Sequence, residues 1–217
     1  MAYVSLTELI QAGRSGTALI SFPTDTVPAL ASHPDQAHRV FEAKQRSTDK
    51  PLILMGGIND DLWSYVQGPA DDQAEWKAVA QRYWPGALTL VLPASDRIPT
   101  AMNPKDPTTL GIRVPDCAIA RHILMQTGPL ATTSVNRSGE PALINPEDIN
   151  RTFPEVLQLS PDDWDELRRS LSPNDSSDAT QEPIELTNAT NTTPSTVIQW
   201  INQGWHVVRQ GRLEFDG

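Results

Sequence analysis

The chain has 217 residues, of which 38% are hydrophobic, and it contains six tryptophans and one cysteine. That length suffices for one domain with a buried core, and the apolar content favours a globular protein over a disordered one. No apolar run approaches the roughly 20 residues of a bilayer-spanning helix, and the first residues lack the basic and then apolar plan of a signal peptide. We therefore expect a cytoplasmic protein without membrane association, in which the single Cys117 is a small apolar residue beside a helix start.

The net charge of −10 is unevenly distributed. Residues 155–185 hold nine carboxylates and two arginines and so carry −7, which leaves −3 for the rest of the chain. Strong acidity disfavours nucleic acid as a partner. The stretch 160–193 is also rich in Ser, Asp, Asn, Thr and Pro, which predicts an acidic, flexible insertion within a single domain spanning residues 1–217.

The secondary-structure elements of the first half of the chain are predicted from the periodicity of apolar residues and from the capping, Gly and Pro residues that bound them. The spacing of Ser5 and Glu8 is that of a capping box and predicts a short helix that ends near Gly13. Residues 17–22 and 51–55 are apolar and β-branched, which predicts two buried strands. A helix that begins near Pro34 and ends in Lys44 and Arg46 connects them, as in an α/β protein.

The second half continues this alternation. Helices are predicted at 59–66, 71–83 and 116–126, and strands at 87–93, 109–115, 195–200 and 205–211. A Pro-rich loop occupies 94–107, and residues 129–139 resemble a strand that opens into a polar turn. The α/β class therefore holds for the whole chain.

The sequence lacks the signatures of familiar sites. It has no GxxxxGK[ST] loop, GxGxxG, paired CxxC or HExxH, and its four histidines share no ligand spacing, so we expect no metal site. Polar residues instead gather at the ends of the predicted strands, where open α/β sheets bind ligands. Hydroxyls, amides and cations of this kind hold phosphate or carboxylate oxygens. Any one such stretch has an ordinary structural explanation, but several in one chain favour an anion-binding cleft. The polar and charged residues of these stretches are Thr24, Thr26, Lys44, Arg46, Lys50, Thr109, Arg113, 132–136, Ser195, Thr196 and Arg209.

Eight stretches carry a resemblance to a known family. FPTDTV, KQR, KPLI, RYWPGALTLVLP, LGIRVP, TSVNRSG, STVI and VVRQG resemble, in this order, the YrdC-like family, the threonylcarbamoyl-AMP synthases. The matches span residues 15–145 and 194–211. Members combine L-threonine, bicarbonate and ATP into threonylcarbamoyl-AMP and pyrophosphate, and other enzymes then modify an adenosine of tRNA. The resemblance implies a twisted mixed sheet with flanking helices and an open concave cleft.

The resemblance also implies roles for individual residues. ATP would contact Lys44, Arg46, Lys50, Thr109, Ser134, Asn136 and Arg209. L-Threonine would contact Thr26, Arg113 and Ser195, with Arg113 on its carboxylate. Mg²⁺ is expected with ATP, downstream tRNA-modification enzymes are expected partners, and tRNA itself would bind weakly. No residue is singled out as a general base, because a carbamate is already nucleophilic, so that positioning and charge would carry the catalysis.

Two departures from the family pattern keep alternatives open. The family usually continues Tyr-Gly-Leu-Gly after PTDTV, whereas this chain has Pro28 to Ala31, and Met55 stands where many relatives have histidine. Proline fixes φ and alanine disfavours the positive φ that glycine allows, so we expect a different loop near the amino acid. The alternatives are a paralogue that makes another carbamoyl or acyl adenylate or is inactive, and a non-catalytic RNA-binding module.

Overall fold

A ten-stranded mixed sheet organises the computed structural model, which describes residues 3–45, 47–171 and 193–216. The strand order is β1-β8-β2-β3-β7-β4-β6-β5-β9-β10. The strands are β1 (Tyr3–Val4), β2 (Ile20–Phe22), β3 (Ala29–Ser32), β4 (Ile53–Met55), β5 (Leu88–Pro93), β6 (Thr109–Arg113), β7 (Leu130–Ser134), β8 (Leu157–Leu159), β9 (Thr196–Ile201) and β10 (Gly204–Arg209). The helices are α1 (Leu6–Ser15), α2 (Ala37–Lys44), α3 (Ala70–Tyr83), α4 (Ala118–Thr127), α5 (Pro146–Thr152) and α6 (Pro161–Leu171).

Both strand directions occur throughout the sheet. The pairs β1–β8, β2–β8, β4–β6 and β5–β9 are parallel, and the other neighbours are antiparallel. This confirms the prediction of a mixed α/β sheet with flanking helices. Local signals set the helix bounds: the Ser5–Glu8 capping box starts α1, and Gly16 ends it with a positive φ of 69°.

Two apolar layers cover the faces of the sheet. One contains Phe41 of α2 and Trp76 of α3, packed on Leu54, Leu90 and neighbouring strand residues. The other contains Leu9 of α1, Ile123 of α4 and Leu167 of α6, packed on the opposite face. The second layer covers the half of the sheet that runs from β1 to β4 in the strand order. The same face of β5, β6 and β9 is not covered by this layer.

The structure corrects several predicted elements. Residues 59–66 form two 3₁₀ turns, Asn59–Asp61 and Trp63–Tyr65, rather than an α-helix. The short elements β1, β3, α5 and β8 were not predicted, because two to seven residues carry too little periodicity to be recognised. Within the acidic segment, residues 161–171 form α6, whose Leu167 is buried. Residues 172–192, on which the predicted flexible insertion chiefly depends, lie outside the described part of the chain.

Strand β3 bears directly on the departure from the family pattern. Ala29 and Ala31 lie in extended backbone, buried, and pair with Phe22 and Ile20 of β2. Positive φ at non-glycine residues occurs, within the described ranges, at Gln45, Asn202 and Gln203. The two alanines therefore carry no left-handed strain, and the expected conflict with alanine does not arise here.

Among the described helices, none combines the length and the apolar character that crossing a membrane requires.

Candidate active site

A cleft of about 590 Å³ lies on the face of the central sheet that the helices leave uncovered. Alternate residues of β6, Thr109, Gly111 and Arg113, line it, as do alternate residues of β4 and β5. Since successive side chains of a strand point to opposite faces, this alternation makes the sheet surface itself the floor of the cleft. The site is therefore a concave face rather than the crevice at strand ends on which the sequence argument relied.

The cleft gathers nine of the ten predicted site residues from segments that are distant in sequence. These are Thr26, Lys44, Lys50, Thr109, Arg113, Ser134, Asn136, Ser195 and Arg209. The tenth, Arg46, lies outside the described residues. We call Lys44, Lys50, Ser134 and Asn136 the lysine side of the cleft, and Thr26, Arg113, Ser195 and Arg209 the arginine side.

The lysine side is organised around the ammonium of Lys44, which ends α2 and is only 1% exposed. Its Nζ donates to the carbonyl of Ser134 and to Oδ1 of Asn136 at 3.0 Å. The hydroxyl of Ser134 donates to the same Oδ1 at 2.6 Å. Nδ2 of Asn136 in turn donates to the carbonyl of Glu140 at 2.7 Å, which fixes the orientation of the amide. The S-x-N element thus holds a buried cation in place through neutral oxygens.

The rim beside Lys50 carries paired charges. Asp49 forms an ion pair with Lys105, and this hydrogen bond holds the pKa of Asp49 below its usual value. The hydroxyl of Thr109 interacts with Asn103 Nδ2 at 3.0 Å and with the Asp106 carboxylate at 3.2 Å. These contacts fix the side chain of Thr109 at the start of β6, one of the cleft-lining positions.

The arginine side is organised around Arg113, whose guanidinium is almost fully buried. It donates from Nη2 to Asp25 Oδ1 at 2.7 Å, from Nη1 to Thr26 Oγ1 at 3.0 Å and from Nε to the Gly86 carbonyl at 3.0 Å. Burial lowers the pKa of Arg113, and the charge of Asp25 opposes that shift. The ion pair therefore keeps a desolvated arginine charged and fixed beside the loop of residues 23–28.

Arg209 and Ser195 complete this side. Nη2 of Arg209 donates to the Ser195 carbonyl at 2.8 Å, and the hydroxyls of Ser195 and Thr89 interact at 2.9 Å. Desolvation, and then the positive charge of Arg113, lower the pKa of Arg209. Two guanidiniums whose positive charges repel each other on the same side of the cleft favour the binding of an anion there.

Two contributors were not predicted as site residues. Asp25 was overlooked although it stands inside the PTDTV motif, where an acid between two threonines is the available signal. Arg212, whose Nη1 donates to the Asp25 carbonyl, lies beyond the last matching motif and gave no signal. Burial raises the pKa of the Cys117 thiol, which packs at the start of α4 and is not among the cleft residues, in keeping with a structural role.

Comparisons with known proteins assign the chain to a family. Residues 11–172 match the model of the Sua5/YciO/YrdC family, described as "Telomere recombination". Because that match covers most of the chain, the protein belongs to this family, which confirms the resemblance found in the sequence.

Similarity to individual proteins supports the same family assignment. The chain is 36% identical over 138 residues to the threonylcarbamoyl-AMP synthase of Bacillus subtilis, an alignment that covers 60% of this chain and 38% of the relative. It is 32% identical over 158 residues to the synthase of Chromohalobacter salexigens, covering 71% and 83%. The crystal structure of P. abyssi Sua5 complexed with L-threonine aligns with a TM-score of 0.70 at 25% identity, covering 96% of this chain and 55% of that one.

Length distinguishes these relatives. The chain spans only 38% of the Bacillus relative and 40% of the synthase of Pyrococcus abyssi, but 83% of that of Chromohalobacter. What the chain shares with all three is the sequence of the aligned residues, and the activity of the longer proteins comes to it only by inference.

Proposed function

We propose that this protein makes threonylcarbamoyl-AMP and pyrophosphate from L-threonine, bicarbonate and ATP. One observation carries the proposal: a single concave face brings together the buried Lys44, which donates to the S-x-N element, and the buried Arg113, which donates to the PTDTV loop. A reaction that joins an amino acid to a nucleotide needs both kinds of anion site within one cavity. Relatives that bear the name of this synthase support the same assignment.

The chemistry asks for cations more than for a base. The amine of threonine combines with bicarbonate to give a carbamate and water, and a carbamate oxygen then attacks the α-phosphorus of ATP. The bond from the α-phosphorus to the bridging oxygen breaks, and pyrophosphate leaves. Since the nucleophile and the phosphates are both anionic, positive charges that neutralise them lower the barrier.

The two sides of the cleft divide this work. Lys44, Ser134 and Asn136 would hold the phosphates, together with Lys50, Thr109 and Arg209 and with Arg46, whose place is proposed from the motif alone. Arg113 would hold the threonine carboxylate, with Thr26 and Ser195 nearby. Mg²⁺ would enter as part of the ATP complex, ligated by the phosphates; in the described part of the chain, no three His, Cys, Asp or Glu side chains converge to form a cage.

We propose that the product passes to enzymes that modify tRNA and that the reaction takes place in the cytoplasm. Weak binding of tRNA belongs to the same proposal. A titration of tRNA at increasing salt tests it, because phosphate contacts give an affinity that falls steeply with salt concentration.

The decisive experiment measures pyrophosphate release from ATP and Mg²⁺ with threonine and bicarbonate each present or omitted. We expect release only when both are present, and a threonylcarbamoyl adenylate as the product in mass spectrometry. Arg46→Ala should abolish release while leaving the circular dichroism spectrum unchanged. A protein that releases no pyrophosphate under any of these conditions overturns the proposal.

A second candidate concerns the amino acid. Val27, Ala29 and Met55 give the cleft an apolar lining next to Thr26 and Arg113, which favours a paralogue that uses another small amino acid. The same assay with valine, alanine and serine in place of threonine separates the two. A higher kcat/KM for valine than for threonine would establish the paralogue, because apolar contacts favour a methyl group over a hydroxyl.

A further inference from the structure

The last described residues pack beside β9 and form a strap, defined here as residues 210–216. The backbone N–H of Gly211 donates to Thr196 Oγ1 at 3.0 Å, and that of Arg212 donates to the Pro194 carbonyl at 2.9 Å. A Cβ at Gly211 would lie 2.3 Å from that same carbonyl oxygen, so only glycine permits this approach. The backbone of Arg212 is thereby fixed next to β9.

The far end of the strap is also anchored. Phe215 packs against Tyr83 of α3 at 5.6 Å and against Trp205 of β10 at 6.4 Å, measured between ring centroids. The strap is therefore anchored on both sides of Arg212. This anchoring fixes the position from which the exposed side chain of Arg212 extends.

From this position Arg212 reaches the loop of residues 23–28. Its Nη1 donates to the backbone carbonyl of Asp25, across 187 positions of sequence. The carboxylate of the same Asp25 accepts from Arg113 at 2.7 Å. Two arginines thus hold Asp25. Arg212 binds its backbone carbonyl from outside the cleft, and Arg113 binds its side-chain carboxylate from within the cleft.

The charges of this group are unequal. Arg113, Arg209 and Arg212 bring three positive charges, and Asp25 brings one negative charge. Burial and, to a lesser extent, the positive charge of Arg212 lower the pKa of Arg113. Two positive charges remain in excess, and the carbamate of threonine, with its two carboxylate groups, carries two negative charges.

We propose that Arg212 is a positioning residue for the amino-acid substrate. By holding the carbonyl of Asp25, it fixes the loop so that Thr26 and Arg113 present their polar groups to the substrate carboxylate. This inference rests on the proposed function. It adds to that function a residue outside the shared motifs, which acts on the substrate through Asp25.

The test compares Arg212→Ala with Arg212→Lys and with Arg151→Ala. Arg151 is an exposed arginine of α5 paired with Asp148, and its loss changes the net charge equally. Loss of a charged hydrogen bond in Arg212→Ala should raise KM for threonine by about tenfold. The KM for ATP and kcat should stay within about twofold. Arg212→Lys should recover most of the affinity, because an ammonium can also donate to the carbonyl, and Arg151→Ala should behave as the unsubstituted protein.

A merely structural role predicts a different pattern. If Arg212→Ala raises both KM values together and lowers the melting temperature, or if it leaves KM for threonine unchanged, the inference is wrong. The inference is also wrong if KM for threonine is as high in Arg212→Lys as in Arg212→Ala.

Calorimetric titration with L-threonine separates this inference from the proposed function. A protein that binds threonine but releases no pyrophosphate overturns the proposed function, and the binding constants of the Arg212 variants still decide the inference. If the unsubstituted protein binds no threonine, both proposals fall. Unchanged binding in Arg212→Ala, in a protein that does release pyrophosphate, overturns the inference alone.

Discussion

The two sides of the cleft hold their cations in different ways. On the lysine side, the partners of Lys44 include a backbone carbonyl and the amide oxygen of Asn136, which are neutral. On the arginine side, Arg113 forms a buried ion pair with Asp25, and Arg209 and Arg212 lie near enough for their charges to interact with it.

This difference separates function from stability. A buried charge that loses its counter-ion is costly, whereas replacing a buried cation by an apolar side chain of similar length costs less. Substitutions on the lysine side should therefore affect turnover more than folding. Substitutions on the arginine side should affect both, and the following experiments test that division.

The largest effect is expected at Lys44. Lys44→Met keeps most of the buried volume but removes the cation that would face the phosphates, so pyrophosphate release should fall by about 10³-fold. The melting temperature should change by only a few degrees, roughly what the loss of the hydrogen bonds to Ser134 and Asn136 predicts. Lys77→Met, at an exposed position on α3, is the control and should retain full release. Release close to the unsubstituted level in Lys44→Met would show that the lysine side does not serve the reaction.

The second effect is a loss of stability at Asp25. In Asp25→Asn, the buried guanidinium of Arg113 loses its counter-ion, and the free energy of unfolding should fall by about 3 kcal/mol. Chemical denaturation measures this change. Asp148→Asn removes the partner of Arg151 in an exposed pair and should cost at most about 0.5 kcal/mol. Equal losses in the two variants would contradict the view that charge pairing holds the arginine side together.

A smaller effect is expected at Asp106, on the rim of the lysine side. The hydroxyl of Thr108 keeps the pKa of Asp106 below its usual value, so the folded state favours the carboxylate. The stability that this provides is present above the ordinary pKa of about 4 and is lost as the pH falls through the lowered value. Asp106→Asn should therefore melt about 1–2 °C below the unsubstituted protein at pH 7, and this difference should shrink progressively as the pH falls below about 4. A difference that stays constant over this range would rule out the carboxylate as its cause.

The smallest effect is expected from residues 172–190. If the two sides of the cleft contain the whole site, replacing these residues with a glycine-serine linker of equal length should change kcat and both KM values by less than about twofold. A tenfold or larger fall in pyrophosphate release would show that this acidic segment belongs to the site.

Much of the fold was accessible from the sequence because its signals are local. The capping box at Ser5, the apolar strands and the turn at Gly128 are read within a few residues, and the structure has elements at each of these places. Strand β3 was missed because it has four residues of small and apolar type and follows a proline. Its assignment depends on pairing with β2 and β7, which no local pattern records.

The amino-acid sequence by itself determined the family, the α/β class and nine of the residues that line the cleft, because these depend on local signals: side-chain periodicity and short motifs that keep a fixed order. Tertiary structure decided that the site is a sheet face, that Asp25 pairs with Arg113 across 88 positions, and that Arg212 reaches the same aspartate across 187. Such contacts follow from the strand order and from the path of residues 210–216 beside β9. Side-chain periodicity tells which face a residue shares with its neighbours in one strand, but not which strands lie side by side.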